Sequence, residues 1–71
     1  MTELHAEIAA NVWKVLVQAG QQVGEGDELI ILESMKMEIP VEAPSAGTIA
    51  EVLVTEGSQV AEGDVMIRLE A

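Results

Sequence analysis

A chain of 71 residues holds one domain with a thin core, because folding at this size buries only about 60% of the unfolded chain's surface. It has no cysteine, which removes disulfides, Cys-X-X-Cys redox chemistry and cysteine–zinc sites, and its one histidine, His5, leaves no histidine-rich metal site. Thirteen Asp and Glu against three Lys and Arg give a net charge of −10, the wrong sign for binding nucleic acid or an anionic membrane surface.

The apolar content of 49% suits a globular fold. No stretch approaches the ~20 apolar residues of a membrane span, and no basic-then-apolar leader opens the chain. The expectation is a soluble, cytoplasmic domain, monomeric in isolation, whose dispersed acids form a well-solvated surface or steer it toward a basic partner. The chain begins at a methionine and its last expected strand stops one residue before the end, as a complete small protein would; an excised domain of a larger protein is the other reading.

In chain order, His5 falls in an N-terminal segment expected to be loose. Val12–Val17, rich in β-branched residues, reads as a strand; Gly20, Gly24 and Gly26 punctuate the next stretch, and Leu29–Glu33 reads as a second strand. Residues 34–48 follow, and then the pattern recurs. At an offset of 37, residues 12–33 match residues 49–70 at 12 of 22 positions, from Val15/Val52 to Glu33/Glu70. Two copies of one strand–turn–strand unit must pack face to face, since neither buries its apolar face alone. No helix-length window keeps a 3.6-residue period, so the class is all-β.

The repeat also reports which side chains point inward. Ile30 and Leu32 match Ile67 and Leu69, whereas Ile31 matches Arg68 and Glu33 matches Glu70, so the first pair faces the core and the second faces water. Val15 and Val17 are expected inward with Val52 and Val54, and Lys14 and Glu51 outward. Trp13 shares the inward parity, so it is expected to fill core space that Ala50 leaves in the other copy. Gly20/Gly57 and Gly26/Gly63 fit turns with positive φ, and Asp27/Asp64 fit turn chemistry. No Lys-Ser/Thr follows these glycines and no helix is available, so they are not a phosphate loop.

A site used once belongs in the stretch that occurs once, Ser34–Thr48. With Met35-Lys36 as the loop of a hairpin spanning residues 29–41, Leu32 meets Ile39 and Ile30 meets Val41 on the inner face. Glu33 then meets Glu38 and Ile31 meets Pro40 on the outer face. Pro40, without a ladder donor, belongs on an edge or facing solvent. Two features oppose stability. Two-residue turns want Asn-Gly or Asp-Gly because both central residues take positive φ, and Glu33 opposite Glu38 is a like-charge pair. Met35 and Met37, flexible and apolar at an exposed tip, suit an adaptable contact surface. Local choices that oppose the fold are where function is expected, which singles out Lys36. Exposure beside two acids does not make it a catalytic nucleophile, so modification by another enzyme is the better reading.

At this point the chain resembles a known family. Glu33-Ser34-Met35-Lys36-Met37-Glu38-Ile39-Pro40-Val41 is similar to the Ala/Val-Met-Lys-Met acceptor motif of biotinyl domains, and the strand–glycine frame resembles the biotinyl/lipoyl domain from about Ala6 to Leu69. The resemblance implies a flattened β-barrel or sandwich of two four-stranded antiparallel sheets with quasi-two-fold symmetry. It implies biotin in amide linkage on Lys36, attached by a biotin-protein ligase that uses ATP, with Ser34, Met35 and Met37 as recognition residues; Glu33 and Glu38 are expected beside them as a negative rim that a basic ligase or carboxylase surface reads. It further implies a carrier that moves carboxylate between biotin carboxylase and carboxyltransferase sites. Ser34 stands where alanine is commonest, and its small size keeps recognition intact. Ala10 stands where the second copy has Gly47, with Asn11 expected to make the turn. Between Val12 and Gly20 there is no protruding thumb segment, as in the small free-standing attachment proteins.

The functional expectation is a carrier protein with no catalytic residues and no metal. The alternatives are a lipoyl carrier on the same lysine, an enzyme using Glu33 and Glu38 as acid and base, and an unmodified β interaction module. Lipoyl acceptors usually show Asp-Lys-Ala at the tip, against which Met35 and Met37 speak.

Overall fold

The computed structural model describes residues 2–70, and every described element is a strand: β1 Thr2–His5, β2 Ala10–Val15, β3 Gln22–Val23, β4 Glu28–Ser34, β5 Met37–Glu42, β6 Gly47–Val52, β7 Gln59–Val60 and β8 Val65–Glu70. They form two four-stranded antiparallel sheets, ordered β1-β8-β6-β3 and β5-β4-β2-β7. An approximate two-fold exchanges the sheets strand for strand, with β5 answering β1, β4 answering β8, β2 answering β6 and β7 answering β3. The class, the sheet count and the symmetry are those expected.

Three local readings are corrected. The N-terminal segment is ordered: β1 pairs with β8, with Thr2 opposite Leu69 and Leu4 opposite Ile67. This matches Ile39 opposite Leu32 and Val41 opposite Ile30 in the other sheet. The repeat therefore extends to β1 and β5, and Ala6 and Ala43, both buried, follow them. Residues 39–48 have a structural twin after all, and the part without one shrinks to the hairpin tip. The short pairs β3 and β7 are strands that the sequence pattern does not predict, and the first strand of the repeat runs from Ala10 to Val15 rather than from Val12 to Val17.

The second correction concerns Trp13, which is 44% exposed, while Val12 beside it is 1% exposed. Its partner strand explains why. Val12 lies opposite Leu32 and Lys14 opposite Ile31, so Trp13 is the extra residue of a β-bulge and the alternation slips by one. The same slip falls between Ile49 and Glu51, so Ala50 is its twin and Ile49 is fully buried. The inward pair is Val12/Ile49, not Trp13/Ala50. Past the bulge the parity holds, with Val15, Val17, Val52 and Val54 half-buried against the core and Lys14 and Glu51 exposed.

Thirdly, Ala10 and Gly47 both open strands, and Asn11 lies in the ladder opposite Glu33 without a positive φ, so no turn is made there. The turns with positive φ fall at Gly20, Gly26, Gly57 and Gly63, and Asp27 and Asp64 close them alike, each accepting a hydrogen bond at Oδ2, from Gly24 N–H and Ala61 N–H, at 2.8 Å. These twinned carboxylates are architecture.

The core is filled from both sheets by Leu29, Ile30 and Leu32 and by Met66, Ile67 and Leu69, each at most 2% exposed. With so few layers, each large side chain carries a substantial part of the stability. Leu32→Ala should therefore destabilise by about 2–5 kcal/mol in a denaturant titration. An unchanged midpoint would mean that Leu32 does not face the core.

Candidate functional site

Ser34 and Met37 form the last rung of the β4–β5 ladder, which leaves Met35 and Lys36 as a two-residue loop. The ladder below is that expected: Glu33 opposite Glu38, Leu32 opposite Ile39, Ile31 opposite Pro40 and Ile30 opposite Val41. Core packing of Leu32 and Ile30 fixes this register, since a one-residue slip would turn both side chains into water. With the rungs fixed, the strands' right-handed twist favours a mirror-image turn, and the form found here takes positive φ at both central residues. Met35 has φ 53° and Lys36 φ 66°, and among the described residues no other non-glycine has a positive φ. An L-residue with a Cβ pays about 1–2 kcal/mol for that conformation. Glycine occupies the other four such positions, and here alone the fold accepts the strain.

The side chains at the tip reach outward. Met35 is 91% exposed and Met37 63%, Lys36 is exposed, and Ser34 is half-buried. Among the described residues no carboxylate comes within 4.0 Å of the Lys36 ammonium; the ion pairs found are those of Glu3 with His5 and of Arg68 with Glu3 and Glu51. Glu33 and Glu38 are both exposed and face each other one rung below the tip. The two-fold takes this corner to the place where β8 ends and β1 begins, so no second loop of this kind exists in the described fold.

Lys14 offers a contrast. It lies within β2, a strand paired on both sides by β4 and β7, and its Nζ sits 5.5 Å from the centroid of the Trp13 ring. A lysine on a flat sheet face cannot enter a narrow site as one on a hairpin tip can. The acid–base reading of Glu33 and Glu38 finds no enclosure either: a groove of about 460 Å³ between β1 and β5 is lined by Leu4, Ile39, Val41 and Glu42, among others, but by neither acid. No cluster of metal-ligating side chains occurs among the described residues.

Comparison with known proteins matches residues 3–69 to the family model Biotin_lipoyl, described as "Biotin-requiring enzyme". Over 45 residues, 63% of this chain and 63% of the relative, the sequence is 58% identical to the "Biotinylated protein TB7.3 homolog" of Mycobacterium leprae. Over 41 residues, 58% of this chain and 56% of the relative, it is 56% identical to the "Biotin/lipoyl attachment protein" of Bacillus subtilis. The match thus spans about three-fifths of these relatives. Among solved structures, a single-chain, multi-domain long-chain acyl-CoA carboxylase superposes with a TM-score of 0.88 at 36% identity, over 93% of this chain and 6% of that one. The lipoyl domain of the 2-oxoglutarate dehydrogenase complex from Azotobacter vinelandii superposes with a TM-score of 0.79 at 25% identity, over 89% of this chain and 80% of that one.

Relieving the two left-handed residues should stabilise the fold. The double variant Met35→Asn, Lys36→Gly is expected to gain about 1–3 kcal/mol, read as a rise in melting temperature of several degrees. An equal or lower melting temperature would mean that the tip stores no strain.

Proposed function

This chain belongs to the biotin- and lipoyl-attachment family, and we propose that within it the protein is a biotin carrier whose Lys36 bears the cofactor. Members of this family are carriers rather than catalysts, and this chain is one. The observation that carries the assignment to Lys36 is its position: an exposed primary amine, flanked by Met35 and Met37, on the one strained corner that the symmetry of the fold does not repeat. Biotin over lipoate rests on the Met-Lys-Met tip and on relatives whose names record biotinylation.

Attachment needs an amine that can be threaded into another protein's active site. A two-residue loop presents Lys36 at the end of a hairpin, and among the described residues no carboxylate lies within ion-pair distance of it. In a biotin-protein ligase Lys36 Nζ would form the C–N bond to biotin's ATP-activated carboxyl carbon, with the bond to the phosphate leaving group breaking and the amine giving up a proton. Once attached, biotin supplies a ureido nitrogen that accepts and releases carboxylate. The protein's part is then mechanical. The lysine stem on a rigid hairpin confines the reactive group to a small volume, which raises its effective concentration at a biotin carboxylase and a carboxyltransferase site.

Lys36→Ala should abolish avidin binding even after exhaustive incubation with ligase, Lys14→Ala should still reach full avidin binding at that end point whatever its rate, and neither should change stability by more than about 0.5 kcal/mol. Avidin binding that survives Lys36→Ala and is lost in Lys14→Ala would overturn the site. The acids at the tip have a separate signature. As a negative rim that orients a basic ligase surface, they supply on-rate more than affinity. Glu33→Gln and Glu38→Gln should slow biotinylation at low ionic strength, with the deficit vanishing near 1 M salt, where the Debye length is ~3 Å. Equal rates at low salt would leave both as solvating surface.

A further inference from the structure

The quasi-two-fold allows the two outer sheet faces to be compared residue by residue. Across β1, β8 and β6 the outward row is Glu3, Arg68 and Glu51. It is a closed ion-pair chain: Arg68 Nε donates to Glu3 Oε2 at 3.1 Å, and Arg68 Nη1 to Glu51 Oε1 at 2.6 Å. The same row across β5, β4 and β2 is Pro40, Ile31 and Lys14, with Trp13 raised beside Lys14 by the bulge. Where one face is charged and self-satisfied, its twin is apolar and carries a lysine that, among the described residues, has no carboxylate partner and rests over the Trp13 ring.

Sequence drift on a solvated surface does not call for this exchange. Ala50 serves the twin bulge without an aromatic ring, and Trp13 still leaves 44% of its surface exposed. Of the chain's three basic residues, Arg68 is neutralised and Lys36 stands at the tip, so Lys14 is the cation this face can offer to a carboxylate. Its sheet is also the one that bears the acceptor hairpin. Met35 lies four positions beyond Ile31, just past the end of β4, about 13 Å along the strand direction. A standard protein interface of ~800 Å² per partner is roughly 30 Å across, so one partner can cover both.

We propose that the Trp13–Lys14–Ile31–Pro40 face is the docking surface for the enzyme that modifies Lys36, a partner presenting an apolar patch with a carboxylate opposite Lys14. The inference rests on the attachment role proposed for Lys36. The ligase, rather than a carboxylase, is the fitting occupant for a geometric reason. Amide formation must bring Nζ itself to bonding distance and hold the body of the domain there, whereas a long cofactor arm reaches later sites with the body further off. Aromatic side chains at the centre of a patch dominate such contacts, and a lone cation on an acidic protein fixes orientation.

The test is steady-state biotinylation of the full apo chain by the biotin-protein ligase of the organism that encodes it, with ATP and biotin. Trp13→Ala, Ile31→Thr and Lys14→Glu should each raise KM for the chain by roughly tenfold or more while kcat stays within about twofold, and Trp13→Phe should recover most of the loss. Glu51→Ala, on the twin face, should match the wild type. Melting curves identify any variant that has lost its fold, and the remaining substitutions then decide. Modification of the wild type with KM unmoved in the folded variants overturns the docking face alone. A wild-type chain that the ligase never modifies overturns the attachment role and this face together. Concentration-dependent dimerisation abolished by Trp13→Ala would assign the face to a second copy and overturn the ligase reading.

Discussion

The rest of the structure depends on one register, Leu32 opposite Ile39 and Ile30 opposite Val41. Two half-barrels with one apolar face each must bury that face against the other, and Ile30, Leu32, Ile67 and Leu69 meet at the centre with almost no exposure. A slip of one residue along β4 would carry two of these four into water, at a cost of several kcal/mol in a domain whose whole stability is about 5–15 kcal/mol. The ladder is therefore held, and two residues remain to close it. Their left-handed backbone is imposed from below by the core. The strain at Met35 and Lys36 is a fraction of what the register contributes, so the fold can accept it.

The same symmetry separates architecture from function. What has a twin can be explained by packing: the buried Ala6 and Ala43, the carboxylates of Asp27 and Asp64, the bulges at Trp13 and Ala50, the four positive-φ glycines. What lacks a chemical twin needs another account. Two such places bear on function: the tip with its lysine between methionines, and the outer row where Pro40, Ile31 and Lys14 replace Glu3, Arg68 and Glu51. They lie on one sheet. A carrier that must be handled by other proteins needs both a group to be modified and a surface by which to be held.

Much of this is legible in the amino-acid sequence. The 37-residue repeat implies a symmetric all-β fold, and period-two alternation across Met35-Lys36 sets the hairpin register rung by rung. The strain follows from turn chemistry alone, because Met-Lys is a poor fit to a turn that demands positive φ. Trp13 is misplaced by strict alternation, which cannot register a bulge that inserts one residue and reverses parity beyond it. A signal is present all the same: Val12 and Ile49 are both β-branched and apolar, whereas Trp13 and Ala50 share nothing. The strand Thr2–His5 escapes a search for repeats because it has no residue identical with its twin Ile39–Glu42, although Leu4 and Val41 keep the inward position. Two-residue strands such as β3 and β7 exist only through long-range pairing and carry no pattern of their own. The contrast between the two outer rows emerges only with β1 in place, since that pairing alone makes Glu3 the counterpart of Pro40.

The central claim is that the strained, unrepeated tip exists to present one amine for attachment. Tandem mass spectrometry of the chain purified from its native cells tests it most directly. The account predicts a biotin adduct on the peptide containing Lys36, with fragment ions placing it on that residue and Lys14 bare. An adduct on Lys14, or a chain uniformly unmodified in cells whose other biotin proteins are loaded, would contradict it.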